Sequence, residues 1–148
     1  HCGNTDCLEA IASGPAVASK LRELGLDATG SEDVVELVRG GSTEAIHAVR
    51  QAGRDVGDVL SACISLINPS VIVIGGSMSL TGEHFIAGIR ETVYSRTIPL
   101  ATQHLQIVHS SSGLDAGVLG ASILAIHHAM SPQRIDAMVS SLSETSAG

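Results

Sequence analysis

The sequence predicts an α/β fold, rich in helix with a small sheet, on three observations. After Ser42, apolar residues recur at a three-and-four spacing as far as Ile67, the period of an amphipathic helix. Val71-Ile72-Val73-Ile74 is an unbroken β-branched run, and Leu105-Gln106-Ile107-Val108 is a second apolar run of strand length. Residues that start and stop helices fall between these segments, so that helices flank and connect the strands.

Each element can be justified in chain order. Ser13-Gly14-Pro15 opens a helix, with Pro suited to the first turn, and Gly25 stops it. Ser31 followed by Glu32 and Asp33 reads as an N-cap with acids at the positive end of the helix dipole, and Gly40-Gly41 ends that short helix. The long helix opened by Ser42 has an apolar stripe through Ile46, Val49, Val56, Val59, Leu60, Cys63, Leu66 and Ile67. Gly53 and Gly57 share one of its faces, where another element, or a partner surface, could approach closely. Asn68-Pro69 ends it and the first strand follows. A helix from about Gly82 to Arg96 leads past Pro99 to the second strand. Asp115 caps a helix through Ala129, and Ser131-Pro132 restarts a last one before a frayed tail. The strands read as buried on both faces, and two such strands do not make a stable sheet alone. Further strands are expected from upstream sequence or another chain.

Composition narrows the function classes. The chain has 148 residues, 44% hydrophobic and 16% charged, with one Tyr, one Phe and no Trp, so the core must be aliphatic. A net charge of −7 with eight scattered Lys and Arg argues against this segment gripping a phosphate backbone. No apolar run approaches the roughly eighteen residues of a membrane span. Three Cys are an odd count for a disulfide framework; Cys63 reads as a small buried hydrophobe, and a reduced, cytoplasmic setting is expected. The chain opens without Met inside a Cys-rich turn, as a processed protein or a fragment would.

Three stretches could carry chemistry. In Cys2-Gly3-Asn4-Thr5-Asp6-Cys7-Leu8-Glu9, two Cys around a turn can share one metal, although zinc prefers four ligands and two free thiols in a turn are the plainer reading of the spacing alone. Glu9, on local sequence alone, is most plainly a first-turn helix acid. The strand running into Gly75-Gly76 lets backbone approach a ligand at a strand's carboxyl end, where α/β folds bind nucleotides. Asp115-Ala116-Gly117-Val118-Leu119-Gly120-Ala121 reads as an N-cap followed by close helix packing. Adjacent His127 and His128 diverge by about 100° on a helix and do not suit a shared metal.

Together these stretches resemble the ROK family, the sugar kinases and sugar-responsive repressors with an actin-like ATPase fold. The family's run is C-x-C-G-x-x-G-C-x-E followed by Ser-Gly; this chain supplies Cys2, Gly3, Cys7, Glu9, Ser13 and Gly14 in that order. Asp6 stands where Gly is common, a tolerable replacement if the backbone there is left-handed. Asn68-Pro69-x-Val71-Ile72-Val73-Ile74-Gly75-Gly76 is similar to the family's adenosine-side motif, and the stretch from Asp115 to Ala121 to the opening of its C-terminal helix.

The resemblance implies a single lobe, residues 1–148, forming the C-terminal half of a ROK protein. Residues 1–12 would form a zinc and sugar loop, 13–67 a helical part, 68–130 an α/β core and 131–148 a C-terminal helix and tail. It implies that Cys2 and Cys7 are ligands of a structural zinc whose other ligands lie upstream, and that Glu9 binds sugar hydroxyls. It also implies that Gly75 and Gly76 lie beside a nucleotide in the kinases. The resemblance of residues 93–102 and of the stretch beyond residue 130 to ROK regulators favours a sugar-sensing effector lobe of a repressor. DNA would be bound only through an upstream helix-turn-helix, and a homo-oligomer is expected. A sugar kinase using ATP and Mg is the alternative, and a dimerisation lobe without a working site is a third reading. The upstream phosphate-binding motif and catalytic Asp of a kinase are not within these residues, so no catalysis is expected of them alone.

Overall fold

The small residues of the long central helix decide how the first part of this molecule packs. The computed structural model describes residues 7–145. In order these form α1 (Leu8–Ala12), α2 (Gly14–Glu23), α3 (Ser31–Arg39), α4 (Thr43–Ile67), β1 (Val71–Ile74), α5 (Glu83–Arg96), α6 (Pro99–Thr102), β2 (Gln106–His109), α7 (Ala116–Ala129) and α8 (Pro132–Thr145). The fold is α/β and helix-rich, with a two-stranded parallel sheet. Two compact units meet at the Gly113–Leu114 bond, inside the stretch expected to form one α/β core.

In the first unit the helix ends are satisfied locally, as the sequence suggests. The Ser13 hydroxyl accepts from the Ala16 amide at 3.3 Å, and the Ser42 hydroxyl accepts from Ala45 at 3.2 Å. Asn68 ends α4 in the left-handed region, at φ 49°. The cap of α3 differs by one residue from expectation. Gly30 is the N-cap, and Asp33 reaches back to accept from the amides of Thr29 (2.6 Å) and Gly30 (3.1 Å) and from the Thr29 hydroxyl (2.6 Å). The Thr29 hydroxyl first, then the two amides, hold the Asp33 carboxyl below its ordinary value of 3.8.

The buried face of α4 follows the apolar stripe the spacing suggests only in part: Val49 is fully buried, and Ile46, Val56 and Leu60 pack against the core. It runs through Ala45, Val49, Ala52, Gly53, Gly57, Ser61 and Ile64, whereas Leu66 is 85% exposed and Val59 and Cys63 are also exposed. The expectation that Cys63 is buried is therefore overturned. The reason is contact distance: α5 lies against the small residues so closely that a larger side chain would not fit. A Cβ on Gly53 would collide with the Phe85 carbonyl, and one on Gly57 would sit 2.9 Å from the Ile89 carbonyl. In return, a Cβ on Gly88 of α5 would collide with the Arg50 carbonyl. The Gly53/Gly57 face is thus occupied from within the chain and offers no partner surface. Arg54 and Arg50 of α4 both bind Glu91 of α5 at 3.2 Å along the exposed seam, which holds the Glu91 carboxyl below the usual range.

The core is aliphatic with one aromatic, as composition requires. Leu21, Val34, Val49, Ile64, Ile86 and Ile89 are fully buried around Phe85. In the sheet, Val71 pairs with Gln106 and Ile74 with His109. Ile72 and Ile74 pack on this core, while Val71 and Val73 are 47% and 61% exposed. The strands are therefore covered on one face, not two, because the helices that cover them come from one side only among the described residues of this unit.

The second unit comprises α7 and α8, joined at Ser131, whose hydroxyl donates to the His128 carbonyl at 3.0 Å. Asp115 occupies the N-cap position of α7 but makes no side-chain cap bond, contrary to expectation, because its backbone (φ −82°, ψ 1°) continues a 3-10 turn rather than turning out as an extended cap does.

Two outcomes follow from this packing. Gly53→Ala should destabilise the protein by about 1–3 kcal/mol in urea unfolding, because overpacking against backbone outweighs the gain of about 1 kcal/mol in helix propensity. Asp33 contributes stability above the ordinary aspartate pKa, and that contribution is lost as pH falls through its lowered folded value. The stability gap between the parent and Asp33→Asn should therefore be open at neutral pH and close below about pH 4.

Candidate functional site

Two places carry the residues singled out from the sequence, and different elements hold them. The first is the start of α1. Cys7 is the N-cap residue, with extended backbone (φ −75°, ψ 151°), and is half-buried; its carbonyl accepts from the Ala10 amide at 2.8 Å. Glu9 follows in the first turn of α1 with an exposed side chain. No described residue donates to its carboxylate. The helix behind it is anchored by packing on α4 and α2 and by Lys20, whose ammonium donates to the Ile11 carbonyl at 2.9 Å.

Cys2 lies outside the described residues, so the expected pair of thiolates is represented by Cys7 alone. Among the described residues no group of three or more His, Cys, Asp or Glu is placed to hold a metal ion. One half-buried sulfur at a helix start is a suitable fourth or third ligand for zinc but does not by itself make a tetrahedral site.

The second place is the carboxyl end of the sheet. Gly75 and Gly76 follow β1 directly and lead into a 3-10 turn, Ser77–Thr81. Gly76 needs its glycine for conformation: φ is 83°, and its carbonyl accepts from both the amide (3.1 Å) and the hydroxyl (2.7 Å) of Ser79. Gly75 is different. A Cβ there would make only ordinary contact, 3.5 Å, with the Ser110 side chain. Ser110 was not singled out by sequence reading, yet it terminates β2 beside this turn and its amide donates to the Ile74 carbonyl at 2.8 Å. Parallel pairing brings the two strand ends together, and no local signal in a Ser/Gly loop announces that.

Close by, a polar cluster links α5 to β2. Arg90 pairs with Glu83 at 3.0 Å and donates to the Ile107 main-chain carbonyl at 2.8 Å, while His109 lies 3.3 Å from Glu83. In sequence these four positions look unrelated; the crossover from β1 through α5 to β2 assembles them. A groove of about 520 Å³ between α2 and α4, lined by Lys20, Leu24, Glu44, His47 and Arg54 among others, contains none of the residues expected to bind zinc, sugar or nucleotide.

With this arrangement in view, the comparisons with known proteins define the class. The architecture is that of a C-terminal lobe of the actin-like ATPase fold, and the model of the ROK family matches residues 1–128. The chain belongs to the ROK family. It is 31% identical over 137 residues to the glucokinase of Thermotoga maritima, covering 82% of this chain and 43% of that protein. Among solved structures it resembles a ROK family transcriptional regulator homologous to the E. coli MLC protein (TM-score 0.67, 26% identity, 74% of this chain and 30% of that one). It resembles equally a ROK family glucokinase from Streptomyces griseus solved with glucose and AMPPNP (TM-score 0.69, 28% identity, 83% of this chain and 45% of that one). The chain spans less than half the length of each.

The two glycines should respond differently to substitution. Gly76→Ala should cost about 1–2 kcal/mol in thermal or urea unfolding although nothing crowds it, because its backbone is left-handed. Gly75→Ala should fold with a stability within about 0.5 kcal/mol of the parent, which makes it the variant with which to probe ligand approach at this turn.

Proposed function

We propose that this chain is the sugar-sensing effector lobe of a ROK transcriptional regulator, with Glu9 as a sugar contact. The observation that carries the reading is the Glu9 carboxylate: it is exposed, fixed in the first turn of an anchored helix, and has no described donor. A carboxylate so placed accepts from two adjacent hydroxyls of a sugar in charge-assisted bonds. Cys2 and Cys7 would brace the loop that presents it by holding a structural zinc with ligands from outside residues 1–148, a role supported by the C-G-x-x-x-C-x-E spacing. DNA binding would belong to a helix-turn-helix elsewhere in the polypeptide, since the lobe itself carries a net charge of −7. Sugar would act by its different affinity for open and closed arrangements of the whole protein.

The relatives include regulators and sugar kinases, and the likeness to the two glucokinases favours a second reading, the C-terminal half of an ATP-dependent ROK sugar kinase. There, Gly75 and Gly76 would lie beside the nucleotide.

Both readings place Glu9 on the sugar, and the full-length protein separates them. Titration calorimetry with a panel of hexoses and N-acetylhexosamines should find a ligand, and Glu9→Gln should weaken it by about tenfold or more with an unchanged unfolding midpoint. A lowered midpoint with unchanged affinity would reduce Glu9 to a helix-start acid. The same protein should contain about one zinc per protomer, lost in Cys7→Ala. ADP release from ATP-Mg in the presence of the bound sugar would assign the kinase; its absence, with sugar-dependent DNA binding, assigns the regulator.

A further inference from the structure

We propose that Lys20 is a positioning residue for the sugar contact: by tying the carboxyl end of α1 to α2 it sets where the Glu9 carboxylate stands. The inference rests on the reading of Glu9 as a sugar contact and adds the residue through which the fold controls it. The Lys20 ammonium donates to the Ile11 carbonyl at 2.9 Å, back across the corner between α2 and α1. Ile11 is the penultimate residue of α1. Carbonyls at that end of a helix lack partners within it, and the negative end of the dipole there favours a cation. α1 has no basic residue in its own last turn, so the cation comes from the next helix.

Two features make this bond matter to Glu9. First, α1 has only five residues, too few to hold a helix without neighbours. Its apolar side, Leu8, Ile11 and Ala12, packs on the core. Such burial keeps the helix in place but is non-directional, and it leaves so short a helix free to rock about its apolar side. The Lys20 bond is directional and removes that freedom two residues from Glu9. Second, the corner is a single residue. The Ser13 amide donates to the Glu9 carbonyl at 3.3 Å, while the Ser13 hydroxyl accepts from the Ala16 amide of α2 at 3.3 Å. The set of α1 on α2 is therefore passed directly to the main chain of Glu9. Among the described residues neither Lys20 nor Glu9 takes part in an ion pair, so the link between them runs through the α1 backbone and not through charge pairing.

The full-length protein tests this with the tightest-binding sugar of the hexose and N-acetylhexosamine panel. In titration calorimetry Lys20→Met, which keeps the apolar stem and removes the donors, should weaken that sugar by about threefold to tenfold. Lys20→Arg, which keeps a cationic donor, should stay within about twofold of the parent. In a Glu9→Gln background Lys20→Met should change affinity by less than about twofold, because a residue acting through Glu9 has nothing left to position. Hydrogen exchange across residues 8–12 should be about threefold faster in Lys20→Met and unaltered across α3. Lys20→Gln, whose shorter amide does not reach the Ile11 carbonyl, gives the same readings if Lys20→Met does not fold. Unchanged affinity or unchanged exchange in the folded variant, where Glu9→Gln does weaken binding, overturns the proposal alone. A loss that persists in full in the Glu9→Gln background overturns it too, since Lys20 would then touch the sugar itself. A panel without a ligand, or a Glu9→Gln variant that binds as the parent does, overturns the reading of Glu9 and this proposal with it.

Discussion

The close approach of α4 to α5 is the constraint on which the rest of the first unit depends. Gly53, Gly57 and Gly88 remove the side chains that would hold the two helices apart, and main chain meets main chain across the interface. Dispersion falls off steeply with separation, so this proximity converts a seam poor in large side chains into a dense one. It also sets the position of everything α5 carries. Phe85, Ile86 and Ile89 are presented to the core beneath β1 and β2, and Arg90 arrives where it can reach the Ile107 carbonyl. On the other side, α1 rests on α4, so the helix that presents Glu9 is referred to the same axis.

Charge plays a smaller, local part. The ion pairs of Arg50 and Arg54 with Glu91 run along an exposed seam and contribute little individually. The packing of α5 on α4 rests on the glycine contacts instead. Arg90 differs because it binds a main-chain acceptor at a strand edge, where geometry matters more than Coulomb energy. The two candidate sites inherit their definition from this frame: Glu9 stands exposed on an anchored turn, and Gly75-Gly76 lies where two parallel strand ends are held side by side.

Much of this was legible in the residues. Pro15 behind Ser13, Gly25, Gly40-Gly41, Ser42 and Asn68 mark helix boundaries because each satisfies or terminates backbone hydrogen bonding locally. The Val71–Ile74 run is a strand, and the Cys7-Leu8-Glu9 turn opens a helix with its acid outward, as the motif suggests. Helical spacing brings Val49 to the packed face of α4, but Val59, Cys63 and Leu66 lie outside it, because the closest approach of α5 is at Gly53 and Gly57 rather than at the large side chains. Asp33, not Ser31, supplies the cap of α3, since an N3 carboxylate can reach back to three donors at once.

By itself the sequence determined what rests on neighbours along the chain: the helix ends, the two strands, an aliphatic core forced by the near-absence of aromatics, and the family to which the Cys-Gly-Cys-Glu spacing belongs. Only the tertiary structure decided which face of α4 is buried, that the sheet is covered on one side, that Ser110 stands beside Gly75, and that Glu83, Arg90, Ile107 and His109 form one cluster. The physical reason is range. Capping and strand propensity act over a few residues and leave a mark in the local sequence. The approach of two helices, or of a guanidinium to a carbonyl seventeen residues away, depends on the relative placement of whole elements, and no short stretch of sequence records it.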